Sequence, residues 1–177
     1  ITYGTALSST QLNATANVPG SFAYTPTNGT VLNAGSNQVL SANFTPTDVN
    51  NYQIVNNSTV LISVNKATPV ITWLPPSAIT FGTPLGATQL NASANVPGTF
   101  NYTPASGTVL NAGANQNLSA SFSPTNGTNY NPVTGISTQI TVNKANPVIT
   151  WPTPLPIVYG TPLSATQLNA TASTAGT

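Results

Sequence analysis

Charge is almost missing from this sequence. Of its 177 residues only Lys66, Lys144 and Asp48 carry formal charge, and arginine, glutamate, histidine, cysteine and methionine are absent. Each absence removes a class of function. Without cysteine there are no disulfides and no thiolate chemistry, although the compartment stays open. Without histidine, and with a single carboxylate, general acid–base catalysis has no group titrating near neutral pH, and a serine or threonine nucleophile has no base. Calcium takes several oxygen ligands, including carboxylates, and one acid does not supply them. With no basic patch, electrostatic binding to nucleic acid or to anionic membranes has nothing to act on. No apolar run approaches the roughly 20 residues of a transmembrane helix. No leader-like n-region and h-region begin at Ile1, so any signal peptide is expected to have been removed or to lie outside this sequence. The expectation is a chain that is not an enzyme, takes no cofactor or metal, binds no nucleic acid and has no membrane span in this segment.

What is present argues against disorder, which combines high net charge with few apolar residues. Here the net charge is +1 and 39% of residues are hydrophobic. Neutral surfaces lack the repulsion that keeps molecules apart. The surface expected from so much threonine, asparagine and serine fits an extracellular or cell-surface location.

The chain repeats itself. YGTALSSTQLNATA at Tyr3 returns as FGTPLGATQLNASA at Phe81 and as YGTPLSATQLNATA at Tyr159, a spacing of 78 residues each time. NKATPVITW (Asn65–Trp73) and NKANPVITW (Asn143–Trp151) keep the same period. A period of this length approaches a small domain. Residues 67–144 are expected to be complete, residues 1–66 to lack their first strand, and residues 145–177 to form the N-terminal part of a third repeat, truncated. A few strands cannot bury a core alone, so the chain is expected to be a window onto a longer array. Donation of the tail to the head of another molecule is the weaker expectation, because the tail duplicates strands that the head already has.

Within a repeat the apolar period is two. Leu12, Ala14, Ala16 and Val18 alternate with polar residues, as do Leu40, Ala42 and Phe44, which is the pattern of half-buried strands. Pro-Gly, Asn-Gly and Ala-Gly turns punctuate these runs. Strands at about 8–12-residue spacing predict an all-β sandwich. The pattern predicts strand A at Pro69–Trp73 (and Pro147–Trp151), A′ at Ile79–Thr83, B at Thr88–Val96 and C at Thr99–Pro104. A short strand follows at Thr108–Asn111, then E at Asn117–Ser123, F from near Tyr130, and G at Ser137–Asn143. Tyr52 and Tyr130 sit where an immunoglobulin-like sandwich keeps its tyrosine corner.

Together, YGTPLSATQLNA, VPGTFNYTPASGTVLNAG, LSASFSPTNGTNY and ITVNKANPVITW resemble the bacterial immunoglobulin-like (MBG-type) repeats of large secreted and surface proteins. The resemblance implies tandem immunoglobulin-like β-sandwich domains serving as stalk, spacer or adhesin-type modules. It implies no catalytic residues.

Candidate chemistry is sparse. Asp48 becomes Asn126 in the next copy and reads as a solvated turn residue. Lys66 and Lys144 recur at one phase, but an isopeptide bond needs a buried acid and residues 67–144 contain none; both read as junction charges. Trp73 and Trp151, once per repeat and flanked by prolines, are expected to pack at the core edge or the domain junction. The rival role for these tryptophans and the tyrosines is as sugar-stacking platforms of a carbohydrate-binding module. Sequons fall at several asparagines, and Asn13, Asn91 and Asn169 share one phase as candidate glycosylation sites on the outward face of strand B. Glycans, covalent or bound, are thus candidate partners. Edge strands are normally guarded by lysine, inward charge or proline, and here charged guards are nearly absent. The leading expectation is a structural fibre or filament of self-associating identical chains, each domain reaching about 35–45 Å if stacked end to end. The alternative is an inert stalk of a cell-surface adhesin.

Overall fold

Period-two alternation favours strands over a helix, and proline and glycine punctuate the runs with turns. The computed structural model describes residues 1–176 and is all-β, with no helix among them. In the head (residues 1–66) β1 (Gly20–Thr25), β2 (Gly35–Pro46) and β3 (Val55–Val64) form an antiparallel sheet in that order. The middle (residues 67–144) contains β4 (Ile71–Thr72), β5 (Ile79–Thr80), β6 (Ser93–Ala94), β7 (Gly98–Thr103), β8 (Gly113–Pro124) and β9 (Val133–Asn143). A four-stranded sheet runs β5-β9-β8-β7, with β5 parallel to β9, and β4 pairs separately with β6. Among the described residues of the tail (145–176), only β10 (Ile149–Thr150) and β11 (Thr171–Ala172) pair. Several small sheets of this kind are compatible with a β-sandwich.

The long strands follow the alternation. Leu118, Ala120 and Phe122 on β8 and Thr138, Ile140 and Val142 on β9 are buried, while Asn117 and Gln139 are exposed. Leu118 and Ile140 join Leu85 and Leu90 in one apolar cluster, closed by Trp73, Ile79, Tyr102 and Leu110. The head repeats it with Leu7, Leu12 and Leu40 beneath Ile1, Tyr24, Leu32 and Ile62. Paired phenylalanines reinforce each hairpin, Phe22 over Phe44 and Phe100 over Phe122, both at 4.8 Å between ring centroids. These rings dictate the glycines beside them. A Cβ on Gly98 would collide with the Phe122 ring and the Ser123 carbonyl, and one on Gly20 with Phe44 and Thr45. Both β2 and β8 begin with a bulge, where Asn37 (φ 56°) and Asn115 (φ 53°) take left-handed backbone. The neighbouring Gln38 and Gln116 donate their amides back to Asn33 and Asn111 carbonyls and close each bulge.

Three expected strands turn out differently. Strand B was expected over Thr88–Val96, but Gly86–Leu90 forms a tight turn in which Gln89 N and Leu90 N both donate to Gly86 O (3.1 and 2.9 Å). The Gln89 side chain accepts from Gly86 N at 3.0 Å and locks that turn, leaving only Ser93–Ala94 extended. The head does the same around Ser8, so Leu12 is buried while Ala14 and Ala16 stay exposed. Thr108–Asn111 yields a single bridge, Pro84 to Val109. No separate strand F starts at Tyr130, which makes one bridge to Ala67 before β9 begins.

Candidate functional site

Two places bring side chains together in ways that reach beyond a single core: the joint between head and middle, and a groove on the head.

The joint is built mostly from uncharged groups, with Lys66 as its charged member. Asn129, on the turn before β9, is buried. Its Oδ1 accepts from Ala34 N (2.8 Å) and its Nδ2 donates to Asn33 Oδ1 (3.0 Å), so one side chain satisfies both polarities of the head's Asn33–Ala34 turn. Ala67 N donates to Asn129 O (2.9 Å) and Asn131 N to Ala67 O (2.8 Å), which stitches the connecting strand to the same turn. Tyr3 and Tyr130 meet edge to face at 5.3 Å. Lys66 donates its ammonium to Gly127 O at 2.5 Å. Such a joint takes its direction from hydrogen-bond geometry and aromatic contact, with no ion pair in it.

The groove is defined by what fills its counterpart. In the middle, Ile71 and Thr72 of β4 lie opposite Ala94 and Ser93. Asn95 extends this ladder with both its groups: its N–H donates to Val70 O (3.2 Å) and its Oδ1 accepts from Val70 N (2.9 Å). Trp73 then turns inward, donates Nε1–H to Gln89 O (3.1 Å) and meets Tyr102 at 5.3 Å, nearly edge-on. In the head the corresponding residues Ala14–Val18 face an open cavity of about 380 Å³, walled on the far side by Phe22, Phe44, Tyr52 and Val55. A smaller hollow of about 70 Å³ lies beside Leu12, Tyr24, Leu40 and Val60, where the middle seats Trp73. The contrast is visible in single residues: Thr138 is 8% exposed, whereas Val60, its counterpart, is 61% exposed.

The tail holds the same strand without a core. Val148 O accepts from Ser173 N (2.9 Å), Val148 N donates to Ser173 Oγ (3.0 Å) and Trp151 Nε1–H donates to Gln167 O (3.0 Å). Trp151 nonetheless remains 58% exposed.

The residues singled out in the sequence fall as follows. Trp73 packs within its own segment and not at the joint, which Tyr3, Asn33 and Asn129 occupy instead. Trp151 touches the tail's own turn. Asn13, Asn91 and Asn169 are exposed, but they follow the tight turn and stand outside any strand; Asn13 Nδ2 donates to Thr10 O at 3.1 Å. Of the two tyrosine-corner candidates, Tyr130 packs its ring edge to face on Tyr3 and Tyr52 is exposed. Asp48 caps its own turn, accepting from Asn50 N, Asn51 N and Asn51 Nδ2. That side-chain amide, ahead of the backbone N–H groups, holds the carboxyl below its ordinary value. Among the described residues no group of three or more His, Cys, Asp or Glu gathers, and no helix is long and apolar enough to cross a membrane. Asn33 and Asn129 escaped notice because nothing in an asparagine-rich sequence separates a joint asparagine from a turn asparagine.

Comparison with family models, with curated proteins and with solved structures finds no match.

Proposed function

We propose that this chain is a structural, extracellular or cell-surface protein of the bacterial immunoglobulin-like repeat type, whose segments stack end to end and whose copies self-associate into a fibre. The observation that supports this most is the joint. One buried asparagine, one tyrosine pair and the Lys66 ammonium on Gly127 O join head to middle. The residues that make it stand at positions carried by the repeat: Asn33 recurs as Asn111 and Tyr3 as Phe81. A joint that can be repeated at a fixed period builds an extended object. Contacts that repeat without closing build filaments, and a surface with three formal charges offers little repulsion against them.

The tryptophans fit strand anchors better than sugar platforms. Each directs its indole N–H to a glutamine carbonyl on the turn after the Tyr-Gly or Phe-Gly motif, so a stacked sugar would have to compete with that contact for the ring's orientation.

Electron microscopy of the purified chain tests the reading. Open-ended filaments with a regular axial repeat near one segment length support it. Uniform single particles at every concentration overturn self-assembly and leave the stalk.

A further inference from the structure

The pentapeptide PTNGT occurs twice, at Pro26–Thr30 and at Pro124–Thr128. Each copy holds an Asn-Gly step, where the backbone nitrogen after the asparagine can close on its side chain because glycine brings no Cβ to hinder the approach. The two steps sit in different surroundings. We propose that Asn126 is a spontaneous modification site: Gly127 N attacks the Asn126 side chain and converts it to isoaspartate or aspartate, altering the joint between head and middle, while Asn28 is held inert.

The inert copy shows what blocks the reaction. Gly29 N donates to Leu7 O at 2.8 Å, and Leu7 N donates to Thr30 O at 2.9 Å. Leu7 is 1% exposed, so this turn is fastened to the head's core. The middle repeats the clasp where its residues are Ser106 and Gly107, with Gly107 N on Leu85 O at 2.8 Å. A nitrogen whose N–H is bonded to a buried residue's carbonyl cannot lose that proton to solvent without first breaking the bond.

At Asn126 the clasp is gone. Asn126 and Gly127 are both exposed, and among the described residues Gly127 N donates to no group. The bonds that remain favour attack. Asn126 O, the carbonyl of the peptide that contains Gly127 N, accepts from Tyr130 N (3.1 Å) and Asn129 N (3.3 Å). Hydrogen bonds to that oxygen stabilise the amidate formed when the nitrogen loses its proton, and the Lys66 ammonium on Gly127 O adds positive charge nearby. Asn126 Oδ1 accepts from Asn129 N at 3.2 Å, a donor aimed at the oxygen on which charge develops as Cγ is attacked.

The reaction needs only water. Gly127 N gives its proton to hydroxide and bonds to Asn126 Cγ; the Cγ–Nδ2 bond breaks, and Nδ2 leaves as ammonia after taking a proton from water. A second water opens the cyclic imide. Cleavage at Cγ leaves aspartate; cleavage at the backbone carbonyl leaves isoaspartate, with the chain routed through the side chain and longer by one carbon. Aspartate fits this turn, since Asp48 holds the same position in the head and accepts from Asn50 N and Asn51 N. It places a carboxylate next to the residue that Lys66 holds. Isoaspartate shifts the turn that carries Asn129 and draws it off Asn33 and Ala34.

Peptide mapping of the full chain, folded and aged in mildly alkaline buffer, tests the assignment, since each conversion releases ammonia and adds one mass unit. Asn126 should convert at least about fivefold faster than Asn28, the factor that one intact backbone hydrogen bond imposes. In strong denaturant the two should convert alike, because both lie in PTNGT. Gly127→Ala, whose new Cβ meets nothing within 4 Å, keeps the fold and should leave Asn126 unconverted. Residual dipolar couplings should give head and middle separate alignment tensors in chains carrying isoaspartate, and a single tensor in aged Gly127→Ala. Equal rates at Asn28 and Asn126 in the folded chain, or conversion of Asn126 only after unfolding, overturns the assignment. A single tensor in the isoaspartate form overturns its effect on the joint.

Discussion

Head and middle carry nearly the same hairpins, yet they do not bury the same residues. β1-β2 and β7-β8 match in register pair for pair, down to the phenylalanine contact and the glycine that makes room for it. What differs is the second layer. In the middle Trp73 packs against the cluster that holds Ile140, and Thr138 is buried; in the head Val60 is exposed and Ile62 only half-buried. The lesson is that a four-stranded or three-stranded sheet here sets the shape, while a thin strand anchored by one tryptophan sets how well that shape is sealed. Burial of apolar area is worth about 25 cal/mol per Å², so the seal falls on the head's stability before it falls on its fold.

That comparison is sharpest at the deepest position. Leu118 is fully buried and Leu40 nearly so. Leu118→Ala should cost the middle about 4 kcal/mol, and Leu40→Ala should cost the head about 2 kcal/mol, because a site beside an open hollow has lost part of its packing already. Segment-resolved hydrogen exchange in denaturant reads both numbers. Equal losses would mean that the β4 layer adds nothing to the core beneath it.

Trp73→Ala tests the layer itself. It removes the edge contact with Tyr102 and the hydrogen bond to Gln89 O, and should destabilise the middle by about 3 kcal/mol. The middle should then behave like the head, with the Asn95 amide, now bonded to Val70 O, losing protection. Retained protection at Asn95 would show that the strand holds its place without its anchor.

Asn129→Ala carries the comparison to the joint. It strips the acceptor from Ala34 N and the donor from Asn33 Oδ1, a loss of about 1–2 kcal/mol for a buried polar group. The counterpart in the head, Asn51, is exposed, so Asn51→Ala should be near neutral by the same measure. Residual dipolar couplings across the joint give a second reading: wild type should show head and middle sharing one alignment tensor, and Asn129→Ala should show two. A single tensor in the variant would assign the joint's rigidity to Tyr3 and Tyr130 instead.

These contrasts bear on how far the residues announce the structure. The all-β class was legible, because alternation on Leu118–Phe122 and Ile140–Val142 follows a period of two and not a helical one. The span of strand B was not. TQLNA alternates like a strand, but a glutamine able to accept from the backbone N–H three residues earlier closes a turn there, and that local bond outcompetes the ladder. The place of Trp73 was ambiguous for a different reason. A tryptophan among prolines signals packing without saying against which body, and only the register of β4 on β6 settles that. The groove could be anticipated only as a missing strand; that Phe22, Phe44, Tyr52 and Val55 wall it requires coordinates.

The smallest expected effect separates head from middle by pH. Asp48 is the one side-chain carboxylate in the chain, and the middle has Asn126 in its place. Hydrogen bonds from Asn51 and Asn50 favour its charged form and lower its folded pKa below 3.8. A group whose folded pKa is depressed contributes stability above its unfolded pKa and loses it as pH falls through the folded value. The head should therefore soften slightly as pH falls through and below the ordinary aspartate range at about 3.9, and the middle, where Asn126 Oδ1 accepts from Asn129 N without titrating, should not. The carboxylate is fully solvent-exposed, so the change is small and shrinks further in salt. Asp48→Asn should flatten the head's profile to that of the middle. If the middle softens as much as the head over that range, the acid sensitivity does not come from Asp48, and the two turns are equivalent in everything but name.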